Sequence, residues 1–143
     1  MNKVVASAEE ALADMQDGAT VAIAGFGVAH RFATTLIVAL RDKGTKNLTM
    51  PSSAASDAYK RQQVKKVVVA FSVRPGSPTA SEQQINDGTL EVELVPQGIL
   101  VERCRAGGAG LAAFYSPTSV GTDLTKGREL REFDGKQYVL EKA

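Results

Sequence analysis

Apolar and polar positions along this chain fall into two rhythms, one suited to helices and the other to strands. Ser7 and Glu10 stand three apart ahead of Ala8, Ala11, Leu12 and Met15, a capping-box start to a helix over 8–15 that Asp17-Gly18 closes. An unbroken apolar run follows over 20–24, the pattern of a strand covered on both faces. Gly25-Phe26-Gly27 leads out of it, and a helix is predicted over 33–43, stopped by Gly44. The alternation repeats downstream. Strands are predicted over 47–50 and 66–71, the second rich in β-branched Val67-Val68-Val69, with a short helix over 57–63 between them. Residues 80–86 read as a helix and 90–95 as a strand, with Leu90, Val92 and Leu94 inward and Glu91 and Glu93 outward. A helix over 98–105 then runs into a glycine-rich loop. Segments 129–133 and 137–140 flank Asp134-Gly135 as a β-hairpin.

Strands alternating with helices of this length predict an α/β fold with a mostly parallel sheet and right-handed crossovers, to which the hairpin adds an antiparallel element. At 143 residues and 43% hydrophobic the chain reads as one ordered domain with a real core. Seventeen basic and sixteen acidic residues nearly cancel, so no global field draws it to nucleic acid or an anionic membrane. No apolar run is long enough to span a bilayer, and the acids near the start argue against a transit peptide, so a cytoplasmic protein is expected. Cys104 alone makes neither an internal disulfide nor a metal cluster, and reads as a small half-buried helix residue.

In open α/β sheets ligands bind beyond the C-terminal ends of the strands, which directs attention to the segments after 24, 50, 71 and 95. A dinucleotide fingerprint beginning at Gly25 would need glycine at position 30, where His30 stands, so Gly25-Phe26-Gly27 reads as a tight strand-to-helix turn. Ser52 and Ser53 offer hydroxyl donors. Arg74 is either a contact for a carboxylate or phosphate or a solvated loop tip. Gln97 is either an amide donor at a strand end or a cap for the next helix. Residues 105–122, RAGGAGLAAFYSPTSVGT, concentrate Gly107, Gly108 and Gly110 ahead of Pro117, the composition of a loop that holds a ligand or a subunit interface. His30 has no matched base or metal partner in the sequence and is not assigned to catalysis.

That last segment, with Val95-Pro96-Gln97-Gly98 before it, resembles the A-type subunit of family I coenzyme A transferases of the 3-oxoacid group. The opening VVASAEEALADMQDGATVAIAGFG, the central LEVELVPQG and the closing REFDGKQYVLEKA are similar to the same subunit. The likeness covers nearly the whole chain, with a divergent region between about residues 28 and 84. It implies a three-layer α/β/α fold and a coenzyme A thioester as substrate, with no bound cofactor and no metal. It also implies covalent catalysis through a glutamate in the Ser-Glu-Asn-Gly motif of a separate B-type subunit, this chain itself supplying no catalytic residue. Gly25, Phe26, Gly27, Ser52, Ser53, Arg74, Gln97, Gly107, Gly108 and Gly110 are then the pocket candidates. The chain departs from the family pattern at three places. His30 and Phe32 stand where glycine and proline are expected, Ser52-Ser53-Ala54-Ala55-Ser56 replaces a Ser-Asn-Asn loop, and residues 72–76 replace a Ser-Tyr-Val-Gly loop. The family's subunit continues for several tens of residues past the position of Ala143. A single domain over 1–143 lacking that segment is therefore expected to associate, with a B-type subunit or with itself. The alternative expectation is a non-catalytic relative kept for binding, oligomerisation or regulation.

Overall fold

The computed structural model describes residues 4–24, 33–51, 62–71 and 80–143. They divide into two compact units, Met1–Glu93 and Leu94–Ala143.

The first unit opens on α1 (Ala8–Ala11), where Ser7 Oγ accepts the Glu10 N–H at 3.1 Å. Glu10 reaches back to the N–H of Ala6 at 2.9 Å, one residue upstream of the donor that a capping box uses. The helix is one turn long rather than extending to residue 15. Lys43 Nζ donates to the carbonyls of Leu12 and Ala13, taking up acceptors that a longer helix would have satisfied internally. Leu12 is buried and Ala8 and Met15 pack on the core, but Ala11 is exposed.

Helix α2 (Thr34–Lys43) ends at Gly44, whose φ of 77° is the left-handed cap the sequence predicts. Strands β1 (Leu48–Pro51) and β2 (Val64–Val69) pair in parallel, Met50 opposite Val67 and Pro51 opposite Val68. The predicted strand over 20–24 lies on the far side of β1. Val21 N–H donates to Thr49 O at 2.9 Å, Thr49 N–H to Ala19 O at 3.0 Å and Ile23 N–H to Pro51 O at 3.2 Å, with a parallel bridge at Thr20. Helix α3 (Ala80–Asn86) has its predicted bounds, and β3 (Glu91–Leu94) completes the order β1-β2-β3. Lys66 on β2 sits 3.0 Å from both Glu91 and Glu93 and ties the two strands on their polar side. Val67, Val68 and Val69 are all buried, as consecutive residues must be in a strand covered on both faces.

Two expectations need correction here. The predicted helix over 57–63 lies outside the described residues up to position 61, and Gln62 has φ 52°, which no α-helix continues through. Buried Gln63 instead donates its amide hydrogens to Leu40 O (3.2 Å) and Thr45 O (3.0 Å), tying the end of α2 to the start of β2. The alternation over 90–95 holds for buried Leu90 and half-buried Val92. It then changes phase, Leu94 being exposed and Val95 buried.

In the second unit α4 (Gln97–Gly108) precedes β4 (Ala113–Ser116), a 3₁₀ turn (Asp123–Thr125), β5 (Leu130–Phe133) and β6 (Lys136–Lys142). The three strands form an antiparallel sheet in the order β4-β6-β5. Asp134 (φ 49°) and Gly135 (φ 72°) make the predicted two-residue hairpin, both central residues left-handed as a type I′ turn requires. The expected α/β class with a parallel sheet and a C-terminal hairpin is thus present. The segment 105–122 is not one loop, however. It comprises a helix end, strand β4 and a turn after Pro117.

Candidate functional site

Ile23, Pro51 and Val69 end their passages at one edge of the parallel sheet, because the three segments run the same way and are hydrogen-bonded in step. That edge leads to the segments holding Gly25, Phe26, Gly27, Ser52, Ser53 and Arg74. These six candidates, and His30, lie outside the described residues.

The other four belong to α4 and its cap. Gln97 is the first residue of the helix and is exposed; Pro96 is the N-cap and no side chain caps the helix, so Gln97 does not serve as a cap. Gly107 and Gly108 form the last turn, with helical backbone rather than the positive φ expected of a loop. The helix rise separates Gln97 from Gly108 by about 16 Å, so the structure does not bring these candidates together. Buried Ile99, Leu100 and Ala106 anchor the helix between them.

Only Gly110 of the three glycines has a positive φ, 75°. Leu111 N–H donates to Ala106 O at 2.9 Å and Gly110 N–H to Gly107 O at 3.0 Å, the paired bonds of a Schellman cap with glycine at the left-handed position. Gly110 is therefore needed by the chain itself. Gly107 and Gly108 are not. Among the described residues a Cβ on Gly108 would meet nothing within 4 Å, and one on Gly107 only the Ala143 Cβ at 3.9 Å. Each glycine costs the helix about 0.5–1 kcal/mol relative to alanine, with no packing among the described residues to explain it. The contrast gives an expected result. Gly110→Ala lowers the unfolding free energy by about 1 kcal/mol through the strained left-handed position. Gly108→Ala raises it by about 0.5–1 kcal/mol. Urea denaturation of the two variants checks both signs.

The strongest electrostatic feature of the second unit is one that the sequence pattern does not single out. Glu141 on β6 is 1% exposed. Arg103 Nη2 and Arg128 Nη2 each donate to its Oε2 at 2.7 Å, Arg128 Nη1 to its Oε1 at 2.7 Å and Arg103 Nε to Oε2 at 3.1 Å. Burial alone would push this carboxyl up, but the hydrogen bonds and charges of Arg128 and Arg103 outweigh it and hold it below the usual carboxylate range. The cluster pins β6 to α4. Its carboxylate oxygens are fully engaged, so Glu141 is closed off as a nucleophile. Residues 38 and 13 positions apart carry no local signal of such pairing.

A second cluster sits on the sheet. Tyr115 O–H donates to Glu129 Oε1, to which Arg131 also donates at 3.1 Å, and the Arg131 guanidinium lies 5.2 Å from the Tyr115 ring centroid. The hydrogen bond to Glu129 raises the phenol above its ordinary value and keeps it protonated. Cys104, expected half-buried, is exposed on α4. Among the described residues no group of three or more His, Cys, Asp and Glu is placed to hold a metal ion, and no helix is long and apolar enough to cross a membrane.

The sequence model of a family described as Coenzyme A transferase matches residues 5–143. The chain is 39% identical over its full length to the A-type chain of the succinyl-CoA:3-ketoacid coenzyme A transferase of Helicobacter pylori, and covers 63% of that protein. It spans about three fifths of the length of the curated relatives it matches. An acyl-CoA transferase (YdiF) from E. coli O157:H7, solved as a thioester complex with CoA, superposes with a TM-score of 0.74 at 26% identity, over 96% of this chain and 32% of that one. The decarboxylase AibA/AibB (C56S variant) superposes with a TM-score of 0.80 at 22% identity, over 96% of this chain and 57% of that one, a likeness of fold alone.

Proposed function

The chain belongs to the coenzyme A transferase family, and from that premise we propose that it is the A-type subunit of a 3-oxoacid coenzyme A transferase. It moves CoA between succinyl-CoA, or another acyl-CoA, and a 3-oxoacid together with a separate B-type subunit. The observation that carries this reading is the 39% identity to an A-type transferase chain over the full length of this one. In the reaction a glutamate carboxylate of the B-type subunit attacks the acyl-CoA carbonyl and expels the CoA thiolate. The thiolate attacks the glutamyl carbonyl of the resulting anhydride, releases the donor carboxylate and leaves a glutamyl-CoA thioester. The acceptor carboxylate then takes CoA by the same two steps in reverse and frees the glutamate. The 143 residues contain no Glu-Asn-Gly, and Glu141 is buried under two arginines. Both support a nucleophile supplied by the partner. Coenzyme A enters as substrate, not as a resident cofactor, and the reading places the protein in the cytoplasm, where acyl-CoA thioesters are made and used.

This chain's part is to wall the pocket. Gly25, Phe26, Gly27, Ser52, Ser53 and Arg74 follow the edge where Ile23, Pro51 and Val69 end, and hydroxyls and amides there suit a developing oxyanion. Gly107 and Gly108 leave backbone bare for a close approach by substrate or partner, which the open space around Gly108 among the described residues supports. Gly108→Ala, stabilising in the isolated chain, is accordingly expected to lower CoA transfer at least tenfold in the complex.

Co-expression with a B-type subunit carrying Ser-Glu-Asn-Gly tests the reading. Acetoacetate-dependent consumption of succinyl-CoA, absent from either chain alone, is the expected result. A stable complex without turnover would assign the chain to the non-catalytic alternative, which the replaced positions His30 and Phe32 favour. Absence of a complex would remove the A-type reading altogether.

A further inference from the structure

We propose that the outer face of the β4-β6-β5 sheet is the docking surface for the partner subunit, and that it fits a partner patch with an apolar centre and a carboxylate rim. This rests on the transferase reading above. The antiparallel register puts Tyr115 opposite Leu140, Arg131 opposite Tyr138, Phe133 opposite Lys136 and Ala113 opposite Lys142, so all of these share one face. The intervening residues Val139 and Glu141 point the other way and are buried, Glu141 against Arg103 of α4. The outer face thus gathers three aromatic rings and a leucine on three short strands. Phe133 remains 43% exposed.

The rings form a preset patch. Phe133 meets Tyr115 edge-on at 5.4 Å and Tyr138 at 5.5 Å, and Tyr115 is fixed further by Glu129 and Arg131. Rigid aromatic side chains lose little freedom on docking, and tyrosine, phenylalanine and arginine are the residues enriched in the centres of protein interfaces. A three-stranded sheet face offers breadth rather than the concavity that small ligands need, which favours a protein occupant.

Charge decides what kind of protein. Arg131, Lys136 and Lys142 lie on this face against Glu129, which is already engaged by Tyr115 and Arg131; Asp134 lies in the adjoining turn. The excess is positive even with Asp134 counted. Two copies meeting through this face would oppose like charges, whereas carboxylates around an apolar centre would complement it.

Titration calorimetry of the full chain with a B-type subunit tests the surface. Lys136→Glu combined with Lys142→Glu, and separately Phe133→Ser, should each weaken binding at least tenfold. The thermal midpoint of the charge variant should stay unchanged, because both lysines are exposed. Wild-type affinity should fall with salt, and Lys65→Glu, exposed on β2, should bind as the wild type does. Unchanged affinity in both face variants overturns the docking surface and leaves the transferase reading standing. A wild-type chain that does not bind the B-type subunit overturns both. A homodimer dispersed by the same substitutions overturns the acidic partner in favour of a second copy.

Discussion

Glu141→Ala is expected to lower the unfolding free energy by about 3–5 kcal/mol, read as a shifted midpoint in guanidinium denaturation. The carboxylate is the shared partner of Arg103 and Arg128, whose side chains are only 17% and 29% exposed. Removing it leaves two guanidiniums side by side, little screened by water and repelling each other. Most of the loss is this repulsion between the two arginines rather than the worth of the pairs themselves. The triple change Glu141→Leu, Arg103→Leu and Arg128→Met should therefore recover a large part of it. Acid titration of the wild type supplies a second readout. The folded carboxyl lies below its ordinary value near 4.5, so the unfolded chain binds the proton first as pH falls. The stabilisation is complete above that ordinary value and is lost as pH drops through the depressed one. Glu141→Ala should flatten this acid limb, while a wild-type limb unchanged by the substitution would show that the cluster contributes nothing.

The parallel sheet should be similarly sensitive at its centre. Leu48→Ala is expected to cost about 2–5 kcal/mol, toward the upper part of that range, in urea denaturation followed by circular dichroism. Leu48 is 0% exposed and sits in the cluster with Met50, Val64, Val67 and Leu40. Its strand is held on both sides, by β2 through Leu48 N–H to Gln63 O at 3.0 Å and by residues 19–23 through their bonds to Thr49 and Pro51. A site fixed in this way collapses little around a cavity, which is what makes the loss large. Met50→Leu, which keeps the volume, should cost under about 1.5 kcal/mol.

Elements specified by their own residues were legible in the sequence. Helix α3 has its predicted bounds, Gly44 caps α2, and Asp134-Gly135 turns the hairpin, because each depends on neighbours a few positions away. Gly107 and Gly108 misled for the same local reason. Glycine signals a break, but the helix begun at Gln97 carries through them and stops only at the Schellman cap on Gly110. Strand β4 was hidden inside what read as loop, since Ala113–Ser116 is defined by its pairing with β6. Arg103, Arg128 and Glu141 likewise have no signature until the fold places them together. Of the candidate site, Gln97 and the glycines prove to be opposite ends of one helix. The remaining six candidates follow a sheet edge whose existence the apolar runs of 20–24 and 66–71 foretold.

In the proposed reaction this chain completes a site whose nucleophile belongs to another. Intact-mass measurement after brief incubation of both chains with succinyl-CoA shows where the nucleophile lies. A coenzyme A adduct is expected on the B-type subunit, formed only when this chain is present, with none on this chain. An adduct on this chain, or one formed equally well on the B-type partner by itself, would contradict it.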